Sequence, residues 1–135
     1  MEPINRDPTD AELAVLQALW DRGPSTIRQL TDALYPEGTD AHYATVQVLL
    51  TRLEGKGHVR RDRSGHAHRF EALTSRDQFV GQRLRAMAEQ LCGGMMTPLL
   101  TNLVKAEALT SEERRELRDL LDHLDRKNAP KDRRR

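Results

Sequence analysis

The chain has 135 residues, with 22 Lys and Arg against 21 Asp and Glu, so the net charge is only +1. Apolar types make up 37% and charged types 32%, a low apolar share for a globular chain, which points to one small core plus a helical arm that completes itself on another chain. The longest apolar run, Leu13 to Leu16, falls far short of the roughly 20 residues a spanning helix needs; the start of the chain has no apolar segment and one cysteine, Cys92, excludes an intrachain disulfide, so a cytoplasmic protein is expected.

In chain order, Thr9-Asp-Ala-Glu12 is a capping box. Leu13, Leu16, Leu19 and Trp20 follow at helical spacing, and Gly23-Pro24 stops this first helix. Ser25-Thr-Ile-Arg-Gln opens a second, with Ile27, Leu30 and Leu34 inward; Tyr35-Pro36 ends it, since a residue before proline avoids the helical region. Thr39 or Asp40 caps a third helix to about Lys56, with Val46, Leu49, Leu50 and Leu53 as its apolar positions. His58–Asp62 and Ala67–Glu71 are of strand type, joined by the turn Arg63-Ser-Gly-His66, with Val59 and Phe70 on one face. Three helices and a hairpin in this order make a winged form of helix-turn-helix.

Charge is uneven along the chain: residues 1–38 carry net −4, residues 39–72 net +2 and residues 73–135 net +3. Arg52 to Arg69 holds six basic groups against Glu54 and Asp62, with His58, His66 and His68 added. Such a stripe is either a footprint for a polyanion or a solvated surface, and composition leaves both open.

A second region begins at Leu73-Thr74-Ser75. Ser75 caps a helix carrying Phe79, Val80, Leu84, Met87, Ala88 and Leu91, which Gly93-Gly94 breaks. Pro98 starts a short helix with Leu99, Leu100, Leu103 and Val104 on one side. Thr110-Ser-Glu-Glu113 is another capping box, leading into Leu117, Leu120, Leu121 and Leu124. These narrow stripes cannot bury much surface alone, so a symmetric dimer is expected through Phe79, Leu84, Met87, Leu91, Leu99, Leu100, Leu103, Leu117, Leu120, Leu121 and Leu124. The fold expected is mostly α with a small β-hairpin: a winged helix over 7–73, a three-helix dimerisation region over 74–126 and a disordered basic tail over 127–135.

Pro8-Thr-Asp-Ala-Glu-Leu13, Leu19-Trp20, Gly23-Pro-Ser-Thr-Ile-Arg28, Tyr43-Ala-Thr-Val-Gln-Val-Leu-Leu-Thr-Arg-Leu53, Gly55-Lys-Gly-His-Val-Arg-Arg61 and Gly65-His-Ala-His-Arg-Phe70 resemble the penicillinase, methicillin-resistance and copper-operon repressors, the BlaI/MecI/CopY family. The resemblance spans roughly residues 7–125. It implies a homodimeric winged-helix repressor on a palindromic operator in double-stranded DNA. In the beta-lactam branch it also implies induction through proteolysis by a membrane-embedded sensor metallopeptidase. The family's Asn-Phe cleavage pair falls on Asn102-Leu103, where leucine replaces phenylalanine. The copper branch's cysteine cluster has no counterpart here.

The free side of the third helix holds His42, Tyr43, Ala44, Thr45, Gln47, Thr51 and Arg52. Gln47 suits a bidentate contact to adenine, and Ala44 or the Thr45 methyl a thymine methyl. The resembling family often has lysine or arginine where Ala44 and Gln47 stand. Arg52, Lys56, Arg60, Arg61, Arg63 and Arg69 read as phosphate clamps. His66 at the wing tip, and Thr26 and Arg28 at the start of the second helix, are further candidates. Thr45 and Gln47 read equally as ordinary solvated positions. His58, His66 and His68 lack the partners a metal site needs, and no cofactor is expected. Met87, Met95 and Met96 read as packing at a dimer seam, and Cys92 as a buried small apolar residue. No P-loop, nucleophile elbow or HExxH motif supports an enzyme. A winged helix that docks a protein instead of DNA stays open, because fold alone does not set function.

Overall fold

The computed structural model describes residues 6–133, with side chains as far as residue 128. The elements run α1 (Asp10–Arg22), β1 (Ser25–Thr26), α2 (Ile27–Leu34), α3 (Asp40–Gly55), β2 (Val59–Asp62), β3 (Arg69–Ala72), α4 (Arg76–Cys92), α5 (Thr97–Lys105) and α6 (Ser111–Arg133). The chain forms two compact units, the first ending at Gln82 and the second starting at Arg83.

In the first unit every helix start is closed by a reciprocal cap. The Thr9 hydroxyl accepts from the Glu12 N–H while Glu12 Oε1 accepts from the Thr9 N–H at 2.9 Å. Thr26 and Gln29 repeat the arrangement on α2, and Thr39 and His42 on α3. Each cap satisfies N–H groups that a helix start leaves unpaired. Gly23, at φ 84°, returns its N–H to the Leu19 carbonyl and ends α1 in a conformation side chains resist.

Val15, Leu16 and Leu19 of α1, Leu30 of α2, Val46, Leu50 and Leu53 of α3, Val59 of β2 and Phe70 of β3 meet in one core. Each buried aliphatic side chain there contributes about 1.5–3 kcal/mol. The sheet has the order β1-β3-β2 and is antiparallel throughout. The pairs Val59↔Ala72 and Arg61↔Phe70 put Val59 and Phe70 on the buried face, as their alternation implies. β1 has no counterpart in the sequence reading, which takes Ser25 and Thr26 as the opening of the second helix. Two residues carry no periodic signal; they become a strand because Ser25 pairs with Phe70 and Thr26 with Arg69. The strands begin at Val59 and Arg69, later than expected, so the wing turn runs over residues 63–68, and Asp62 Oδ1 accepts from the Ser64 N–H at 2.9 Å.

Phe79 departs from its expected place in the dimer seam. It is 8% exposed and belongs to the core of the first unit. Its ring lies 5.4 Å from that of Trp20 and 6.2 Å, edge-on, from that of His58. Trp20 Nε1 donates to the Thr74 carbonyl at 2.7 Å, and Arg76 pairs with Asp21 at 2.6 Å. The opening turns of α4 are thereby part of the first unit, and the division falls inside that helix instead of at 73/74.

In the second unit, Gly93 (φ 60°) and Gly94 (φ 87°) end α4. The Thr110–Glu113 capping box forms as its residue types imply. Ala88 is buried and Leu99 half-buried, whereas Leu84, Met87, Leu91, Leu100, Leu103, Leu117, Leu120, Leu121 and Leu124 are exposed. Cys92, expected buried, is partly exposed. A groove between α5 and α6 is lined by Leu100, Leu103, Val104, Leu109, Leu117 and Leu121, together with Arg114 and Arg118. Helix α6 continues over residues 127–133, where a disordered tail is expected; residues 134 and 135 lie outside the described part. Polar composition does not stop a helix already nucleated upstream, and Asp122 and Arg126 stand at the supporting i, i+4 spacing. Among the described residues no helix is long and apolar enough to cross a membrane.

Candidate nucleic-acid interface

Helix α3 has two faces. Val46, Leu49, Leu50 and Leu53 are buried, because α1, α2 and β2 pack against that side. Ala41, Ala44, Thr45, Gln47, Val48, Thr51 and Arg52 are exposed. The face that the sequence leaves polar or small is therefore open to solvent. Val48, 48% exposed, is an addition to the expected set. Its signal in the sequence is an aliphatic residue out of phase with the core positions around it.

His42 and Tyr43, expected on the open side, are half-buried. The His42 ring stacks on Tyr35 with centroids 4.2 Å apart and planes 6° from parallel. The Arg28 guanidinium sits 4.9 Å from the Tyr43 centroid and donates to the Gly38 carbonyl at 3.4 Å. These two ring contacts brace the first turn of α3 against α2. The Thr26 hydroxyl accepts from the Gln29 N–H, and its own O–H stays available to donate.

The six basic residues read as phosphate clamps separate into groups. Arg52, Arg63 and Arg69 are exposed and make no salt bridge among the described residues, and His66 is exposed on the wing turn. Arg60 is exposed but paired across the strands with Glu71. Arg61 is held inward: Nη2 donates to Glu54 at 3.2 Å, and the guanidinium lies 4.8 Å from the Phe70 centroid. Lys56 Nζ is engaged by Glu12 Oε1 at 2.6 Å and the Asp7 carbonyl at 3.0 Å. These contacts make Lys56 and Arg61 braces within the winged helix, a role that their charge alone does not reveal. Spacing along the chain cannot show that a carboxylate 44 residues away stands under the Lys56 ammonium.

Two carboxyls are tuned by these contacts. Burial by itself raises the Glu12 carboxyl. The Lys56 ammonium, the Thr9 N–H and the charge of Arg52 outweigh that, and the group lies below its ordinary value. On the wing, the Ser64 N–H and hydroxyl hold the Asp62 carboxyl below its ordinary value, with help from Arg60 and Arg69. Asp62 therefore stays charged beside the wing arginines and partly offsets them.

The penicillinase repressor family model matches residues 8–123. The chain is 35% identical over 118 residues to the transcriptional regulator BlaI of Mycobacterium tuberculosis, covering 86% of this chain and 83% of that one. It is 27% identical over 119 residues to the penicillinase repressor of Staphylococcus aureus, covering 87% and 92%. A 16.5 kDa protein of Latilactobacillus sakei is 26% identical over 113 residues, covering 84% and 77%. The matched stretch takes in the winged helix, its wing and most of the second unit, and on these grounds the chain belongs to the penicillinase repressor (BlaI/MecI) family of winged-helix transcriptional repressors, which are DNA-binding regulators and not enzymes.

Proposed function

We propose that the protein represses transcription as a homodimer on a palindromic operator. The outward face of α3 enters the major groove, and Arg52, Arg63 and Arg69 lie on phosphates. The observation that carries this is the open side of α3: its core positions are buried, yet Ala44, Thr45, Gln47, Val48 and Thr51 are exposed among the described residues. Phosphate contacts supply affinity and orientation, and the helix supplies sequence choice. The exposed leucines of α5 and α6 supply the dimer seam, since a monomer leaves them wet. Two winged helices on one twofold axis read two half-sites, which sets their spacing at about one helical turn or a multiple of it.

Selection of duplexes from a random pool by the full-length chain tests this reading, with sedimentation to give the oligomeric state. The expected result is a dimer and an inverted-repeat consensus. A chain that retains no duplex at low salt, or a consensus without symmetry, overturns it.

Release by proteolysis in α5 fits the same scheme. Asn102 Nδ2 donates to the Pro98 carbonyl at 3.0 Å, and the Asn102-Leu103 bond lies inside the helix. Proteases act on extended chain, so cutting there requires α5 to unwind first. A cut would detach α6 and half of the leucine groove. Incubation with a membrane sensor metallopeptidase and mass measurement of the fragments tests it; release of an intact chain from DNA by a small ligand refutes it.

A further inference from the structure

We infer that Val48 is a specificity-determining residue: together with Ala44 and Thr51 it forms an apolar strip on α3 that reads thymine methyl groups, so that the contacted core of each half-site consists of A·T pairs. The inference rests on the reading of α3 as the helix that enters the major groove, and it names what that helix selects.

Ala41, Ala44, Val48 and Thr51 recur at spacings of three and four, which places them on one line opposite Val46, Leu50 and Leu53. Val48 stands at the middle of that line, aliphatic and 48% exposed. The two threonines beside it do not offer hydroxyl protons to a base. Thr45 Oγ1 donates to the Ala41 carbonyl and Thr51 Oγ1 to the Gln47 carbonyl, each at 3.0 Å. A hydroxyl has one proton to donate, so each residue keeps a methyl and an acceptor oxygen for a ligand.

The other polar groups narrow the choice of base. Guanine shows two acceptors in the major groove and calls for arginine or lysine, and neither stands on α3 between Ala41 and Thr51. Gln47 alone, among the described residues of this stretch's exposed side, keeps both a donor and an acceptor for a base, because the Thr45 and Thr51 protons go to backbone carbonyls; that pair is the one adenine matches. Thymine is the one base that presents a methyl in that groove. A strip of methyls beside one carboxamide, flanked by exposed Arg52, Arg63 and Arg69 for the phosphates, therefore fits A·T steps in duplex DNA.

The test uses the full-length chain and the best duplex selected from a random pool, resynthesised with deoxyuridine at one thymine position at a time. Uracil keeps every hydrogen-bonding group of thymine and removes only the methyl. Each contacted position should lose about fourfold in affinity, the equivalent of one buried methyl-sized group. In Val48→Ala the loss at one of these positions should vanish while the others persist. Val48 lies outside the core, so the melting temperature of this variant should match the parent and exclude a folding effect. A selected duplex indifferent to uracil at every position overturns the inference, as does a Val48→Ala chain that keeps every uracil penalty. A pool that yields no preferred sequence at all overturns the operator-binding reading itself, and is a distinct result.

Discussion

Lys56, which caps the C-terminal end of α3, holds its ammonium 2.6 Å from the Glu12 carboxylate in the first turn of α1. Glu12 is 1% exposed and also closes the Thr9 capping box, so one buried carboxylate joins the start of α1 to the end of α3. The pair is a strut between α1 and the end of α3.

Lys56→Met should therefore act on stability and not on phosphate contact. It leaves a buried carboxylate with its N–H partner but without its counter-ion, at a cost of about 1–3 kcal/mol. Urea unfolding should show that loss, while the slope of log affinity against log salt stays at the parent value. A flattened salt slope with unchanged stability would return Lys56 to the phosphate clamps.

Acid should weaken the same strut. The Glu12 carboxyl is depressed in the folded state below its ordinary value of 4.5. Its contribution is thus complete above that value and is lost as pH falls through the depressed folded value. Urea midpoints measured from neutral pH downward should fall below about pH 4.5, and the Glu12→Gln curve, lower at neutral pH, should approach the parent curve in acid. Parallel curves at all pH values would remove Glu12 from the acid response.

Arg63→Ala together with Arg69→Ala should weaken all duplexes by a similar factor and leave the consensus unchanged. Each lost phosphate contact takes about 0.9 from the salt slope, so two contacts on each of two copies flatten it by about 3–4. Anisotropy titrations across a salt series read this directly. A changed consensus with an unchanged slope would place these arginines on bases instead.

Leu121→Glu puts a charge into the α5–α6 groove, where Leu100, Leu103 and Leu117 also stand. The dimer should dissociate in sedimentation, and affinity for a full palindrome should drop by about 100-fold or more because the second half-site no longer binds as part of one molecule. Affinity for a single half-site should hold, since residue 121 lies outside the first unit. A dimer that survives the charge would move the seam elsewhere.

The residue string by itself determined the features whose information lies within a turn or two of chain. The Thr9–Glu12 and Thr110–Glu113 caps, the helices that follow them, the inward set Val46, Leu49, Leu50 and Leu53, and the alternation that buries Val59 and Phe70 all form as their spacing implies, because capping and amphipathic periodicity act over three or four residues. Tertiary structure alone decided what depends on distant partners. It engaged Lys56 and Arg61 within the chain by setting Glu12, Glu54 and Phe70 against them. It drew Phe79 beside Trp20 and into the first unit, and it made a strand of Ser25 and Thr26 by pairing them with β3. A charge or a ring counts the same wherever it stands in a sequence; only the packed chain settles whether protein or solvent lies within its reach.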